Sequence, residues 1–293
     1  MLSYQHEYHA GNHADVLKHI CLVRILTSLC KKDKPFTVID SHAGAGRFHL
    51  DDERMLKTGE ADSGIKKLLA AADGSNLVPA AVADYINAEI PYFSRSMYAG
   101  SAELERIFAR KGDKLFMIEK HPQAFASLKS NIDIPIIRHD GEEYPQVKAT
   151  VINQDSYEQL NALTPPSVKR GLILCDPSYE DASDYAAVTK ALKNVRKKWN
   201  TAIIALWYPL LARRKNETAQ MLSELEDFSK IGTMPCESFR CELKVKNLAN
   251  IDEKSKAHLS GSGMLVINPP WQLKEDMMSA LEFLRTKCGF QPQ

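Results

Sequence analysis

The ten residues "LILCDPSYED", positions 172 to 181, set a carboxylate, a proline carbonyl and an aromatic ring side by side at the end of an apolar run. Asp176 and the carbonyl of Pro177 can accept the two hydrogens of an amino group, and Tyr179 can stack on the planar ring that carries it. The form is Asp/Asn-Pro-Pro-Tyr/Phe/Trp, the catalytic loop of enzymes that methylate exocyclic amino groups, with Ser178 in place of the second proline. An unaltered spelling follows near the C-terminus, Asn268-Pro269-Pro270-Trp271 in "LVINPPWQL". The elements around each copy must decide which of the two does chemistry. Ser178 keeps the carboxylate, the carbonyl and the ring, and loses only the restriction that a following proline puts on Pro177. An active enzyme is therefore expected.

A second constellation lies upstream in "VIDSHAGAGRF". Gly44 and Gly46 let the backbone turn tightly after a strand and pass close to a ligand. Phe48 and His49 follow, so the Gly-x-Gly-x-x-Gly pattern of dinucleotide enzymes is missing and pyrophosphate is disfavoured. A ligand without phosphates, such as S-adenosylmethionine, fits better. Alone this loop is a weak signal, since a plain strand-to-helix turn reads the same way. The order of the set is stronger: the glycine loop, then Glu119 placed for ribose hydroxyls, then Asp155 placed near an adenine, then Asp176.

These residues need elements to position them. Four short apolar runs each end in an acidic residue: "FTVID" at Asp40, "KLFMIE" at Glu119, "KATVINQD" at Asp155 and "GLILCD" at Asp176. Runs of this length, alternating with helical patterns, predict parallel strands covered by helices on both faces. Ligands bind such sheets outside the carboxyl ends of the strands. A rival to the third run, ending at Asp140 in "DIPIIRHDG", would leave "KATVIN" without a place in the sheet. "TAIIALWYPL" predicts a fifth strand, "ARRKNETAQMLSELEDFSK" a helix, and "CESFRCELKVK" with "GSGMLVINPP" a closing antiparallel pair. Five βα units with that ending make an α/β, Rossmann-like methyltransferase sheet. Upstream, "GNHADVLKHICLVRILTSLCKK" predicts a helix capped by Asn12 and buried against the sheet. Glu119 lies 73 positions beyond Gly46, whereas a simple unit needs about 20. The excess predicts a small inserted helical subdomain over 51–95, with 1–50 and 96–293 forming the main domain.

Bulk properties exclude more than they assign. With 44% apolar and 26% charged residues in 293, the chain is an ordinary globular one. A formal charge of +1 means that nucleic acid could be held only by a local basic patch. No export signal and no bilayer-long apolar run is read, so a cytoplasmic location without membrane attachment is expected. The six cysteines are scattered without a Cys-x-x-Cys pair, and His9 and His13 lack further ligands at a metal-binding spacing. No metal or disulfide framework is predicted.

The stretches "MLSYQHEYHAGNHADVLKH", "DSHAGAGRF", "IEKHP", "RGLILCDPSYE", "ALWYP" and "SGSGMLVINPPW" together resemble the RlmJ-type 23S rRNA adenine-N6 methyltransferases. The resemblance runs over nearly the whole chain and departs at Ser178, where the family has proline. It implies a class I fold dependent on S-adenosylmethionine, with an inserted helical subdomain, and 23S rRNA as the partner. It also implies roles by position: Lys18, His19 and His42 contact or shape the cofactor pocket, Ser101, Glu119, Asp155 and Ser156 bind the cofactor, Tyr4 meets the RNA, and Asp176 is catalytic. The C-terminal Asn-Pro-Pro-Trp becomes a feature of the last strand. A DNA adenine methyltransferase and an inactive module that binds cofactor and RNA stay open as alternatives; a protein glutamine methyltransferase is disfavoured, because its loop begins with Asn.

Overall fold

The computed structural model describes residues 10–75, 77–137, 147–231, 234–246 and 259–291. The first helix, α1 (His13–Cys30), starts where the Asn12 side chain accepts the backbone N–H groups of Ala14 and Asp15. Then come β1 (Thr37–Asp40), β2 (Arg47–His49), four helices α2 (Glu53–Thr58), α3 (Glu60–Ser63), α4 (Ile65–Ala72) and α5 (Ala80–Phe93), and β3 (Met97–Ala99). The chain continues through α6 (Ser101–Phe108), β4 (Lys114–Ile118), α7 (Pro122–Ile132), β5 (Ala149–Ile152), α8 (Ser156–Leu163), β6 (Gly171–Cys175) and α9 (Ala182–Lys198). It closes with β7 (Ile203–Pro209), α10 (Lys215–Ser229), β8 (Ser238–Lys244), β9 (Gly261–Ile267) and α11 (Leu273–Thr286).

Seven strands form one sheet in the order β5-β4-β1-β6-β7-β9-β8. The first five are parallel, and β9 runs antiparallel between β7 and β8. The expected strands therefore all form, including β5 from "KATVIN"; Asp140 lies outside the described residues. Alternate residues divide the two faces, as the pleat requires. Val38, Leu172, Leu174, Ile203 and Ala205 join the core beneath α1 and α11, while Ile39, Ile173, Cys175, Ile204 and Leu206 join the core beneath α9 and α10. The connections leave β1 toward β4 on one side, and β6 lies on its other side. A crevice at the carboxyl ends of β1, β4 and β6 is the geometric result.

Two elements were not anticipated. β2 and β3 pair antiparallel, Phe48 opposite Tyr98, so that the helices α2–α5 leave and return at neighbouring points. α11 follows β9 and packs on α1, α5 and β8. Between them α5 and α11 help to bury α1 on nearly every side, where the sequence predicted contact with a sheet alone. Tyr85 and Val82 of α5 and Ile65 of α4 share one core with Val16, Leu17 and Ile20 of α1.

The Asn268-Pro269-Pro270-Trp271 motif sits at the opposite pole from the crevice. Because β9 is antiparallel, its last residue Ile267 pairs with Ile204 at the start of β7. The Asn268 amide donates to the carbonyls of Thr201 and Ala202 at 3.0 and 3.2 Å, tying this corner to the chain that enters β7. Trp271 stands 81% exposed.

One close approach sets the central strand pair. A Cβ on Gly171, at the head of β6, would lie 2.0 Å from the Thr37 carbonyl oxygen of β1. Gly171→Ala must push β6 away from β1, and it is expected to lower the unfolding free energy by about 2 kcal/mol or more. Urea denaturation measures it; a loss below about 0.5 kcal/mol would mean that the pair has slack to give.

Candidate active site

A cavity of about 1090 Å³ opens at the carboxyl ends of the parallel strands. Lys18, His19, His42, Gly44, Ser101, Glu119, Asp155, Ser156, Asp176, Pro177 and Tyr179, all singled out from the sequence, line it. Gly46 does not. It holds the left-handed φ of +79° and gives its carbonyl to the Gly100 N–H, so it shapes the turn behind the wall and not the wall itself. Tyr4 lies outside the described residues.

The floor of the cavity is backbone. Gly44 adopts a φ of +59°, and its N–H donates to Glu119 at 2.9 Å. The other Glu119 oxygen accepts from the His121 N–H at 2.6 Å. The carboxylate that ends β4 is thus locked to the glycine loop after β1, which fixes its direction before any ligand arrives. Asp155 caps α8 by accepting from Tyr157 and Glu158 and pairs with Lys120 at 3.0 Å. Partial burial opposes its charge, but Lys120 and the two N–H groups outweigh that and hold its carboxyl below the usual range. Ser156 donates to the Ser41 carbonyl at 2.5 Å, joining the start of α8 to the end of β1.

Asp40 is the residue that sequence reasoning passed over. It was visible as a strand-end carboxylate, yet no role was given to it. Fully buried, it accepts from the Ser101 hydroxyl at 2.6 Å and the His42 N–H at 3.0 Å. Ser101 is therefore anchored behind the cavity as well as lining it. Burial pushes Asp40 up to about 6, against the pull of these two donors. His42, with Nδ1 2.7 Å from the Ser41 hydroxyl, is brought down to about 4 by burial and is neutral at pH 7.

Above the floor stands the catalytic-loop motif. Lys18, buried in α1, reaches Asp176 at 2.5 Å and Asp15 at 2.7 Å. Burial works to discharge the ammonium, but the two carboxylates hold it charged, well above its ordinary range. Asp15 is a second residue the sequence did not single out; its three-residue spacing to Lys18 on a helix was the available sign. Tyr179 holds a left-handed φ of +52°, a conformation that costs on the order of 1–3 kcal/mol in a non-glycine residue. Its ring packs on Tyr185, centroids 4.6 Å apart, and its hydroxyl donates to the Trp207 carbonyl at 3.0 Å. Only 2% of the residue is exposed, so the ring forms part of the wall and does not stand free in the cavity. Ser178 beside it is exposed and lines the cavity mouth. Among the described residues, no group of three His, Cys, Asp or Glu side chains is placed to hold a metal ion, and no helix is long and apolar enough to cross a membrane.

The raised carboxyl of Asp40 has a consequence for stability. The folded form binds this proton more tightly than the unfolded chain, so its stabilising effect is full below about pH 4 and is lost as pH rises through about 6. The swing is about 3 kcal/mol. Unfolding free energies of the wild type and Asp40→Asn should diverge by that order across this window, and a difference flat in pH would place a charged Asp40 in both states.

Comparison with known proteins agrees with this geometry. The profile of the family described as "Ribosomal RNA large subunit methyltransferase D, RlmJ" matches residues 33–292. Ribosomal RNA large subunit methyltransferase J of Escherichia coli K12 is 38% identical over 291 residues, covering 98% of this chain and 94% of that one. Its namesake in Haemophilus influenzae is 36% identical over 288 residues, covering 97% and 93%. A crystal structure of a Legionella pneumophila protein, 31% identical, superposes with a TM-score of 0.78 over 97% of this chain and 96% of the other. Sheet order, cavity and sequence thus converge: the chain belongs to the RlmJ family of ribosomal RNA large subunit methyltransferases.

Proposed function

We propose that this protein transfers a methyl group from S-adenosylmethionine to the N6 amino group of an adenine in 23S rRNA, acting in the cytoplasm. One observation carries the reading: Asp176 and Pro177 stand over a cavity whose floor is the glycine loop locked to Glu119. The residues present fit the cofactor. Glu119 and Asp155 end adjacent strands as acceptors for hydroxyl and amino groups, the left-handed turn at Gly44 opens the floor, and the cavity exceeds what a drug-sized ligand needs. S-adenosylmethionine supplies a methyl group already activated on a sulfonium.

The chain supplies position and charge. The adenine amino nitrogen is a poor nucleophile, since its lone pair is delocalised into the ring. Asp176 and the Pro177 carbonyl accept its two hydrogens and favour a pyramidal nitrogen with the lone pair free for attack. The amino group must share Asp176 with Lys18, which holds that carboxylate at 2.5 Å. Asp176 then takes the proton that leaves the methylated nitrogen. Tyr179, its ring packed on Tyr185 and its hydroxyl on the Trp207 carbonyl, must turn its ring toward the cavity to stack on the base, and the base must leave its own stack to reach it. Tyr4 belongs to the same reading as an RNA contact. So does the division into a main domain, 1–50 and 96–293, and an inserted helical subdomain, 51–95.

Two measurements test this. Glu119→Ala removes an acceptor worth about 1.5–3 kcal/mol and is expected to weaken S-adenosylmethionine binding on the order of tenfold or more; unchanged affinity by calorimetry in the folded variant would reject that assignment. In a methyl-transfer assay on unmodified 23S rRNA, Asp176→Ala is expected to be inactive though folded, and Asn268→Ala to stay within a few-fold of wild type. The reverse pattern would make the C-terminal copy the catalytic one, and transfer to DNA alone would replace the substrate.

A further inference from the structure

The Lys18 ammonium stands between two carboxylates with unlike surroundings. Its Nζ lies 2.7 Å from Oδ1 of Asp15, one turn back on α1, and 2.5 Å from Oδ2 of Asp176, just after β6. The Asp15 side chain is 3% exposed and the Asp176 side chain 16%. Asp15 is also held from behind, because its second oxygen accepts the Gly11 N–H at 2.8 Å. Gly11 is fixed in turn: it holds a left-handed φ of +78°, and its carbonyl accepts the Ile65 N–H of α4 at 2.8 Å. Asp40, the next carboxyl, accepts from Ser101 and the His42 N–H instead. Among the described residues, Asp15 and Asp176 are thus the two ion-pair partners of Lys18.

We propose that Asp15 is a positioning residue for the methyl transfer, the counter-charge that keeps Lys18 in place while Asp176 is given over to the base. The inference rests on the function proposed above. In that reaction the N6 lone pair forms the bond to the methyl carbon, the carbon–sulfur bond breaks with its electron pair going to sulfur, and one N6 proton passes to Asp176. The sulfonium charge and the Asp176 charge disappear together. The Lys18 charge does not. A buried ammonium left without a carboxylate is strongly disfavoured, so with Asp176 as its sole partner Lys18 would oppose that proton transfer. Asp15 removes the opposition. Its two oxygens accept, one from the ammonium and one from a backbone N–H, which is the arrangement of an ionised carboxylate. It takes no proton from the base and is already bonded to Lys18, so the ammonium keeps a counter-charge at every stage. The anchoring at Gly11 gives this role its direction: Asp15 is the fixed partner, and Asp176 is the one free to serve the substrate.

Neutral isosteres test the pairing without any ligand. Asp176→Asn imitates the neutralised carboxyl, and its effect on the unfolding equilibrium constant in urea is measured once with Asp15 present and once in Asp15→Asn. The loss should be about tenfold greater or more in the second background, where Lys18 keeps no carboxylate. Nitrogen spectra of lysine-labelled protein, with Lys18 assigned by its loss in Lys18→Gln, should still show an ammonium in Asp176→Asn near neutral pH. In the methyl-transfer assay on 23S rRNA, folded Asp15→Asn should lose kcat on the order of tenfold or more, while KM for rRNA and the calorimetric affinity for S-adenosylmethionine stay within about twofold. A packing role alone would not separate those quantities. Equal losses in the two backgrounds, or an unchanged kcat in folded Asp15→Asn, overturn the proposal. Should Asp15→Asn fail to fold, the spectrum of Asp176→Asn decides, and a neutral Lys18 amine there overturns it. A wild type inactive on 23S rRNA would instead overturn the function proposed above and any role of Asp15 in transfer, while the unfolding comparison would still decide the pairing.

Discussion

Four carboxylates converge on one end of the sheet, and the rest of the site is arranged around their mutual repulsion. Asp40, Glu119, Asp155 and Asp176 each follow or end a parallel strand, so the fold itself brings them together. Like charges in a partly dry crevice cannot all stand unpaired. Each is relieved differently. Asp176 shares Lys18 with Asp15, Asp155 takes Lys120 and two helix N–H groups, Glu119 takes two backbone N–H groups, and Asp40 is pushed toward its neutral form by burial. The first three remain acceptors in the cavity. The fourth becomes a brace behind it, holding Ser101 and the backbone of His42.

Much of this was legible because buried parallel strands write themselves as short apolar runs, and their carboxyl ends fall where the acidic residue breaks the run. The strand that carries Asp155 could be chosen over the rival at Asp140 because the rival would have left "KATVIN" without a place in the sheet. The hairpin of β2 and β3 was not legible: three residues a side are too few to show a period of two, and its partners are separated by the whole insertion. The last helix was a different failure. Leu273, Met277, Ala280, Leu281 and Leu284 are spaced at helical intervals, a legible pattern directly after the last strand. The contacts of the Tyr98 hydroxyl with His19 and Tyr85 gave no sign at all, since residues on separate elements meet only through tertiary packing.

The pair Asp176-Pro177-Ser178-Tyr179 and Asn268-Pro269-Pro270-Trp271 shows what spelling alone leaves out. Both follow an apolar strand, and the better copy by sequence is Asn268-Pro269-Pro270-Trp271. Strand direction separates them. β6 runs toward the crevice and β9 runs away from it, so the same local sequence meets Lys18 and the glycine loop in one case and the entrance to β7 in the other. The asparagine there is a tie between chain segments.

The β2–β3 hairpin bears on how this architecture can change. It pins both ends of the helical segment α2–α5 one strand spacing apart, about 4.8 Å. A segment held so closely at its ends can grow or shrink without moving the sheet, and each doubling of its length adds only about 0.6 kcal/mol of closure entropy. This segment is thus open to drift in size, as an appendage on a fixed hinge pin would be. The exceptions are α4 and α5, because Ile65, Tyr85 and Val82 reach back into the core around α1. Evolution of this segment is free in length where its helices are joined and constrained in composition where α4 and α5 face α1.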